Sequence, residues 1–144
     1  MSNQINLNEY KELFKLFQEK GASYFDVFNL PQEFSLVNIT RLEKKQIKLI
    51  KDIKKANEPL LAVTVALTGF LLGETIARLY NATWVTEADE IWDYYLEHTS
   101  PDGSQFKVFP LVRTIKFFEK HKTYGLTSYV HGVELMFRKG LSNL

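Results

Sequence analysis

The chain has 144 residues, of which 45% are hydrophobic and 14% aromatic, so it is long enough for one domain with a substantial core and too apolar for wholesale disorder. It contains no Cys, which excludes disulfides, thiolate metal sites and cysteine nucleophiles and points to a reducing cytoplasm, while residues 1–6 carry neither a basic n-region nor an apolar h-region, so export is not expected. The net charge of +1 hides an uneven distribution: Arg41 to Lys55 holds seven basic residues against Glu43 and Asp52, a net of +5, and Glu87 to Asp102 holds six carboxylates and no Lys or Arg.

In chain order, Leu7, Tyr10, Leu13, Phe14 and Phe17 recur at helical spacing and predict an amphipathic helix over Leu7 to Lys20. Asn6 is its candidate cap, with Glu9 completing a capping box, and Gly21 its stop. Ala22 to Phe34 has no helical period, yet Tyr24, Phe25, Val27, Phe28 and Leu30 are too apolar to sit in water, so a packed connecting segment is expected.

Over Ser35 to Asn57, Leu36, Ile39, Leu42, Ile50 and Ile53 form a second stripe, with Lys44, Lys48, Lys51 and Lys55 on the opposite side. Asn57-Glu58-Pro59 reads as a break and restart. The third helix, Pro59 to about Asn81, is apolar all round in its first half; that run is shorter than the roughly 20 residues of a membrane span and is followed by Glu74 and Arg78, so a buried central helix is expected.

Thr83 to Thr86 and Ile91 to Leu96 are rich in aromatic and β-branched residues and predict strands. Ser100-Pro101-Asp102-Gly103-Ser104 is a turn, and Gln105 to Pro110 alternates like a half-buried strand, so the two flanks form an antiparallel hairpin. Helices then return over Leu111 to about His121 and Leu126 to Leu141. The fold class is α+β, a single domain over residues 1–144: N-terminal helices including a buried central one, a small antiparallel sheet, and C-terminal helices.

Chemistry has few places to sit. Gly69 and Gly73 share one face of the central helix, where each costs about 1 kcal/mol relative to Ala, so close packing or a ligand must offset them. Glu74 either pairs with Arg78 at the rim or turns inward, fixing the next strand or serving a pocket with Trp84 as its wall. Glu74, Trp84, Gly69, Gly73 and Arg78 are thus the candidate ligand site. His98, His121 and His131 share no metal-ligand spacing, and His131 with Glu134 supplies two ligands where zinc needs three or four, so no metal or other cofactor is expected. His98 reads as a surface residue, and Thr99, Ser100 and Ser104 as turn residues rather than parts of a triad.

Lys44, Lys48, Lys51 and Lys55 are the candidate nucleic-acid contacts. They lack interleaved aromatics for stacking and have about one residue, Gln46, suited to a base edge, so any binding there would be to phosphates alone.

The run Gly69-Phe70-Leu71-Leu72-Gly73-Glu74, followed by Asn81-Ala82 and Trp84 and later by Val108-Phe109-Pro110, resembles small bacterial proteins with a domain of unknown function, in which a Gly-x-x-x-Gly-Glu helix precedes a Trp-containing strand. The resemblance covers about residues 60–120. Asn81-Ala82 departs from the glycine-rich turn usual there. The resemblance implies an α+β fold and a bacterial cytosolic setting, and no activity. The expected function is a small intracellular protein-interaction module, binding a protein partner or a second copy of itself through Tyr24 to Phe34 or the Trp92-Tyr94-Tyr95 strand; catalysis, nucleic acid and membrane are not expected. The alternatives are a ligand-binding protein or enzyme with a pocket at Glu74 and Trp84, and phosphate-backbone binding through the lysine helix.

Overall fold

The computed structural model describes residues 7–56 and 58–140. Five helices, α1 (Leu7–Lys20), α2 (Leu36–Ala56), α3 (Glu58–Tyr80), α4 (Pro110–Glu119) and α5 (Leu126–Lys139), accompany strands β1 (Thr83–Val85), β2 (Tyr95–Thr99) and β3 (Gln105–Val108). The fold is α+β. The sheet is antiparallel throughout in the order β1-β2-β3.

Helix α3 is the hub, packed against α1, α2, α4, α5 and the segment after α1. Its residues Val65, Ala66, Leu67, Phe70, Leu71, Leu72 and Ile76 are all buried, which is why it needs no polar face there. By length and composition Leu60–Tyr80 could cross a membrane, contrary to the expectation from the apolar run alone, because Glu74 and Arg78 are the only charges in the span; two thirds of its most apolar 18-residue window is buried inside this fold. Thr64, Thr68 and Thr75 return their hydroxyl protons to the carbonyls of Leu60, Thr64 and Leu71, so these polar groups enter the core satisfied.

Three expectations need correction. The segment after Gly21 is packed as expected but has a helical period after all, a 3-10 helix over Gly21–Phe28 with Phe25 and Phe28 buried one turn apart. Ile91–Asp93 is a 3-10 turn, and the strand begins only at Tyr95, so Trp92 and Tyr94 are not strand residues. Pro110 does not close β3 but opens α4, where its missing N–H costs nothing. The candidate cap Asn6 lies outside the described residues.

Left-handed backbone at residues other than glycine marks two junctions. Asn29 (φ 55) ends the 3-10 helix, its amide reaching the Asp26 carbonyl at 3.0 Å. Asn81 (φ 56) ends α3, and the Ala82 amide closes back on Ala77 O at 3.1 Å, so Asn81 adopts the conformation that glycine usually supplies at a helix end. The chain thereby reverses into β1 with Trp84 facing inward, in register with Leu96 and, across the sheet, Val108.

Candidate functional site

The structure brings Gly73, Glu74, Arg78 and Trp84 together, whereas Gly69, one turn earlier on α3, meets Leu111 and Thr114 of α4. Trp84 Nε1 donates to Glu74 Oε1 at 3.0 Å, and Arg78 Nε donates to Glu74 Oε2 at 2.8 Å. Glu74 is 20% exposed and Arg78 60%, so the ion pair stands at the rim while the indole bond lies further in. The guanidinium also sits 4.4 Å over the Phe34 ring. Trp84 meets Phe14 edge-on at 5.1 Å, and Phe14 meets Phe70 and Tyr94 at 4.9 and 5.1 Å, so the carboxylate anchors the rim of an aromatic cluster.

The glycine face is covered by protein. A Cβ on Gly73 would collide with the Trp84 indole and stand 2.9 Å from Pro110 Cγ, and one on Gly69 would stand 2.9 Å from Leu111 Cγ and 3.2 Å from Leu111 Cα. Both glycines therefore let α4 and the indole approach α3 closely. Glu74, Trp84, Gly69 and Gly73 line neither the groove beside α2 nor the cleft at the start of α4.

On α2, Lys44 and Lys48 are exposed, while the side chains of Lys51 and Lys55 lie outside those described. Gln46, the candidate base-edge reader, is fully buried and donates from Nε2 to Thr68 Oγ1 at 3.0 Å, so it faces α3 and not solvent. Among the described residues no ion pair joins the α2 lysines to Glu87, Asp89, Glu90, Asp93 or Glu97.

His98 is not the surface residue expected. Its ring stacks on Phe137 (centroids 4.1 Å, 9° apart), and Nδ1 lies 2.9 Å from Asn81 O. Because a carbonyl only accepts, Nδ1 donates this hydrogen bond, and Nε2 is buried and without a partner among the described residues. Ser100 likewise exceeds a turn role: buried, it donates to Phe137 O at 2.7 Å and ties the hairpin to the end of α5. Ser104 accepts the Ser100 amide through its carbonyl at 2.8 Å, as a turn residue should. Among the described residues no three His, Asp or Glu side chains cluster closely enough to hold a metal ion.

Two features were missed in the sequence. Between the 3-10 helix and α2 runs a groove of about 340 Å³ lined by Val27, Phe28, Asn29, Lys45, Lys48 and Leu49. Val27 is 58% and Leu49 43% exposed. Lys45 Nζ donates to Asn29 O at 3.2 Å, fixing one wall to the other. The sequence signal was present in Leu49, which falls beside the buried stripe and next to Lys48. The second is a cleft of about 330 Å³ at the start of α4, lined by Lys107, Val108, Phe109, Val112, Arg113, Lys116, Tyr129 and Met136. Burial pushes the Tyr129 phenol up to about 12, against the opposing pulls of Arg113 and a backbone hydrogen bond with Phe109.

Set against protein-family models, curated proteins and solved structures, the chain shows no significant match in any of the three comparisons.

Proposed function

We propose that the chain is a small intracellular interaction module without chemistry of its own, whose groove between the 3-10 helix and α2 takes an acidic, amphipathic segment of a partner protein. One observation carries this reading: Val27 and Leu49 stand 58% and 43% exposed across a single groove floored by Phe28, and Lys45 and Lys48 line the same groove. Covering each aliphatic side chain is worth about 1.5 kcal/mol, and the lysines select a partner whose apolar residues are flanked by carboxylates. A pocket for substrate or ligand at Glu74 and Trp84 has weaker support, because both carboxylate oxygens already accept hydrogen bonds and the glycine face is filled.

The test is photo-crosslinking in cells from benzoylphenylalanine at position 27 or 49, followed by titration of the captured segment as a synthetic peptide. Peptide binding weakened at least tenfold by Leu49→Glu and by Lys45→Glu/Lys48→Glu supports the reading. A monomer by light scattering that forms no adduct, or an adduct indifferent to both variants, ends it. An adduct between two copies of the chain replaces the acidic partner with self-association.

A further inference from the structure

The feature missing from the lysine side of α2, aromatic rings set among cations, occurs at the start of α4. Lys107 Nζ lies 5.0 Å over the Tyr95 ring, Lys116 Nζ 5.5 Å over Tyr124, and the Arg113 guanidinium between Tyr124 and Tyr129 at 5.2 and 4.9 Å. Phe109 pairs with Tyr95 at 5.3 Å yet remains 39% exposed, leaving a ring accessible beside the cations. Over residues 107–122 the cations Lys107, Arg113, Lys116, Lys120 and Lys122 stand against Glu119 alone, a net of +4.

Among the described residues no carboxylate lines the cleft; Glu97, opposite Lys107 in the sheet register, borders the neighbouring cleft instead. Among the described residues Lys107, Arg113 and Lys116 form no ion pair. Arg113 spends Nη2 on Gly125 O at 3.1 Å, but its buried Nε has no acceptor among the described residues. A buried cationic donor without an acceptor, two exposed ammonium groups and an open aromatic ring form a site for an anion that also carries a flat π face.

We propose that this cleft binds single-stranded nucleic acid, with phosphates at Lys107, Lys116 and Arg113 and a base stacked on Phe109. Cations track the backbone, and the ring accepts any base, so binding is salt-sensitive and nearly indifferent to sequence. The surface is separate from the groove at Val27 and Leu49, so either proposal can fail alone.

The experiment is fluorescence anisotropy of the full chain with a labelled oligothymidylate and an oligouridylate of equal length, with labelled heparin and phosphatidylserine vesicles as competing probes. Three phosphate contacts predict a log–log salt slope of about −2, or roughly a twentyfold loss between about 50 and 200 mM salt. Lys107→Gln/Lys116→Gln should weaken oligonucleotide binding at least tenfold and flatten the slope. Phe109→Ala should weaken the oligonucleotides but not heparin, and Arg41→Gln/Lys44→Gln, on α2 but outside the groove, should change neither. All five substituted side chains are exposed, and matched thermal melts check that each variant folds. The proposal is overturned by no binding at low salt, by equal effects of the α2 and α4 variants, by a Phe109→Ala effect identical for heparin and oligonucleotide, or by vesicle binding without oligonucleotide binding.

Discussion

Trp84 hydrogen-bonds to Glu74 while the edge of its indole occupies the space that a side chain on Gly73 would take. The two contacts fix the indole in position and orientation, so the turn at Asn81 delivers β1 to α3 in a single arrangement. Gly73 is then required because the carboxylate beside it holds the ring against the helix. Its helical cost of about 1 kcal/mol is offset by the packing it permits.

Gly73→Ala should therefore destabilise the fold although alanine is the better helix former. Overpacking against a held ring costs about 3 kcal/mol and the propensity gain returns about 1, leaving a net loss of about 2 kcal/mol. Urea unfolding followed by tryptophan fluorescence measures it. A variant as stable as the parent would mean that the indole moves aside freely. Glu74→Gln retains an acceptor for the indole and should cost less than Gly73→Ala.

Gly125, the residue just before α5, has no side chain with which to cap it. Glu43 of α2 supplies the cap from outside: Oε2 accepts the Leu126 amide at 3.0 Å, and Oε1 accepts the Thr127 amide at 3.0 Å and its hydroxyl at 2.6 Å. Glu43→Ala leaves two amides of the first turn without their protein partner and should cost about 2 kcal/mol. Hydrogen exchange at Leu126 and Thr127 should accelerate in step with it. Unchanged exchange at both amides would show that water replaces the carboxylate at no cost.

Gln46 is the opposite case. Its Nε2 reaches Thr68 Oγ1, but its Oε1 is buried without a partner among the described residues, and Thr68 already donates to Thr64 O at 2.7 Å. Gln46→Met removes an unsatisfied acceptor and keeps the volume, so stability should change by less than about 1 kcal/mol, in either direction. A loss well beyond that, in chemical denaturation, would reveal an acceptor contact for Oε1 that the geometry does not account for.

The helices were legible because their apolar period is long and regular, and the hairpin because Pro101-Asp102-Gly103 admits few backbones. The 3-10 helix escaped notice because Phe25 and Phe28 repeat every three residues, too briefly to stand out among neighbouring aromatics. Trp92 and Tyr94 mimicked a strand by composition alone. Gln46 was readable in principle: it lies four residues after Leu42 and four before Ile50, within the buried stripe. Glu74, Trp84 and the two glycines could be singled out because a carboxylate and glycines interrupt an apolar run. That α4 fills the glycine face was not readable, since nothing local ties Leu111 to Gly69. Lys107, Arg113 and Lys116 span a strand and a helix, so they looked like scattered charges until the fold set them around one cleft.

Alkaline stability should report the environment of Tyr129. Its phenol is pushed up to about 12 from 10.0 by burial, so between these values the unfolded chain ionises this group while the folded chain does not. The stabilisation is fully present below about pH 10 and is lost as pH rises through about 12, amounting to about 2 kcal/mol after allowance for partial solvation. Burial also raises Tyr10, Tyr80 and Tyr94, Glu134 adding to the effect at Tyr80, so the parent should weaken over the same range for more than one reason. Tyr129→Phe isolates one contribution: its stability, measured by urea unfolding from pH 8 upward, should fall less steeply than that of the parent above pH 10. Parallel curves for the two proteins would mean that Tyr129 ionises in the folded chain as readily as in water, and hence that the floor of the α4 cleft is open to solvent.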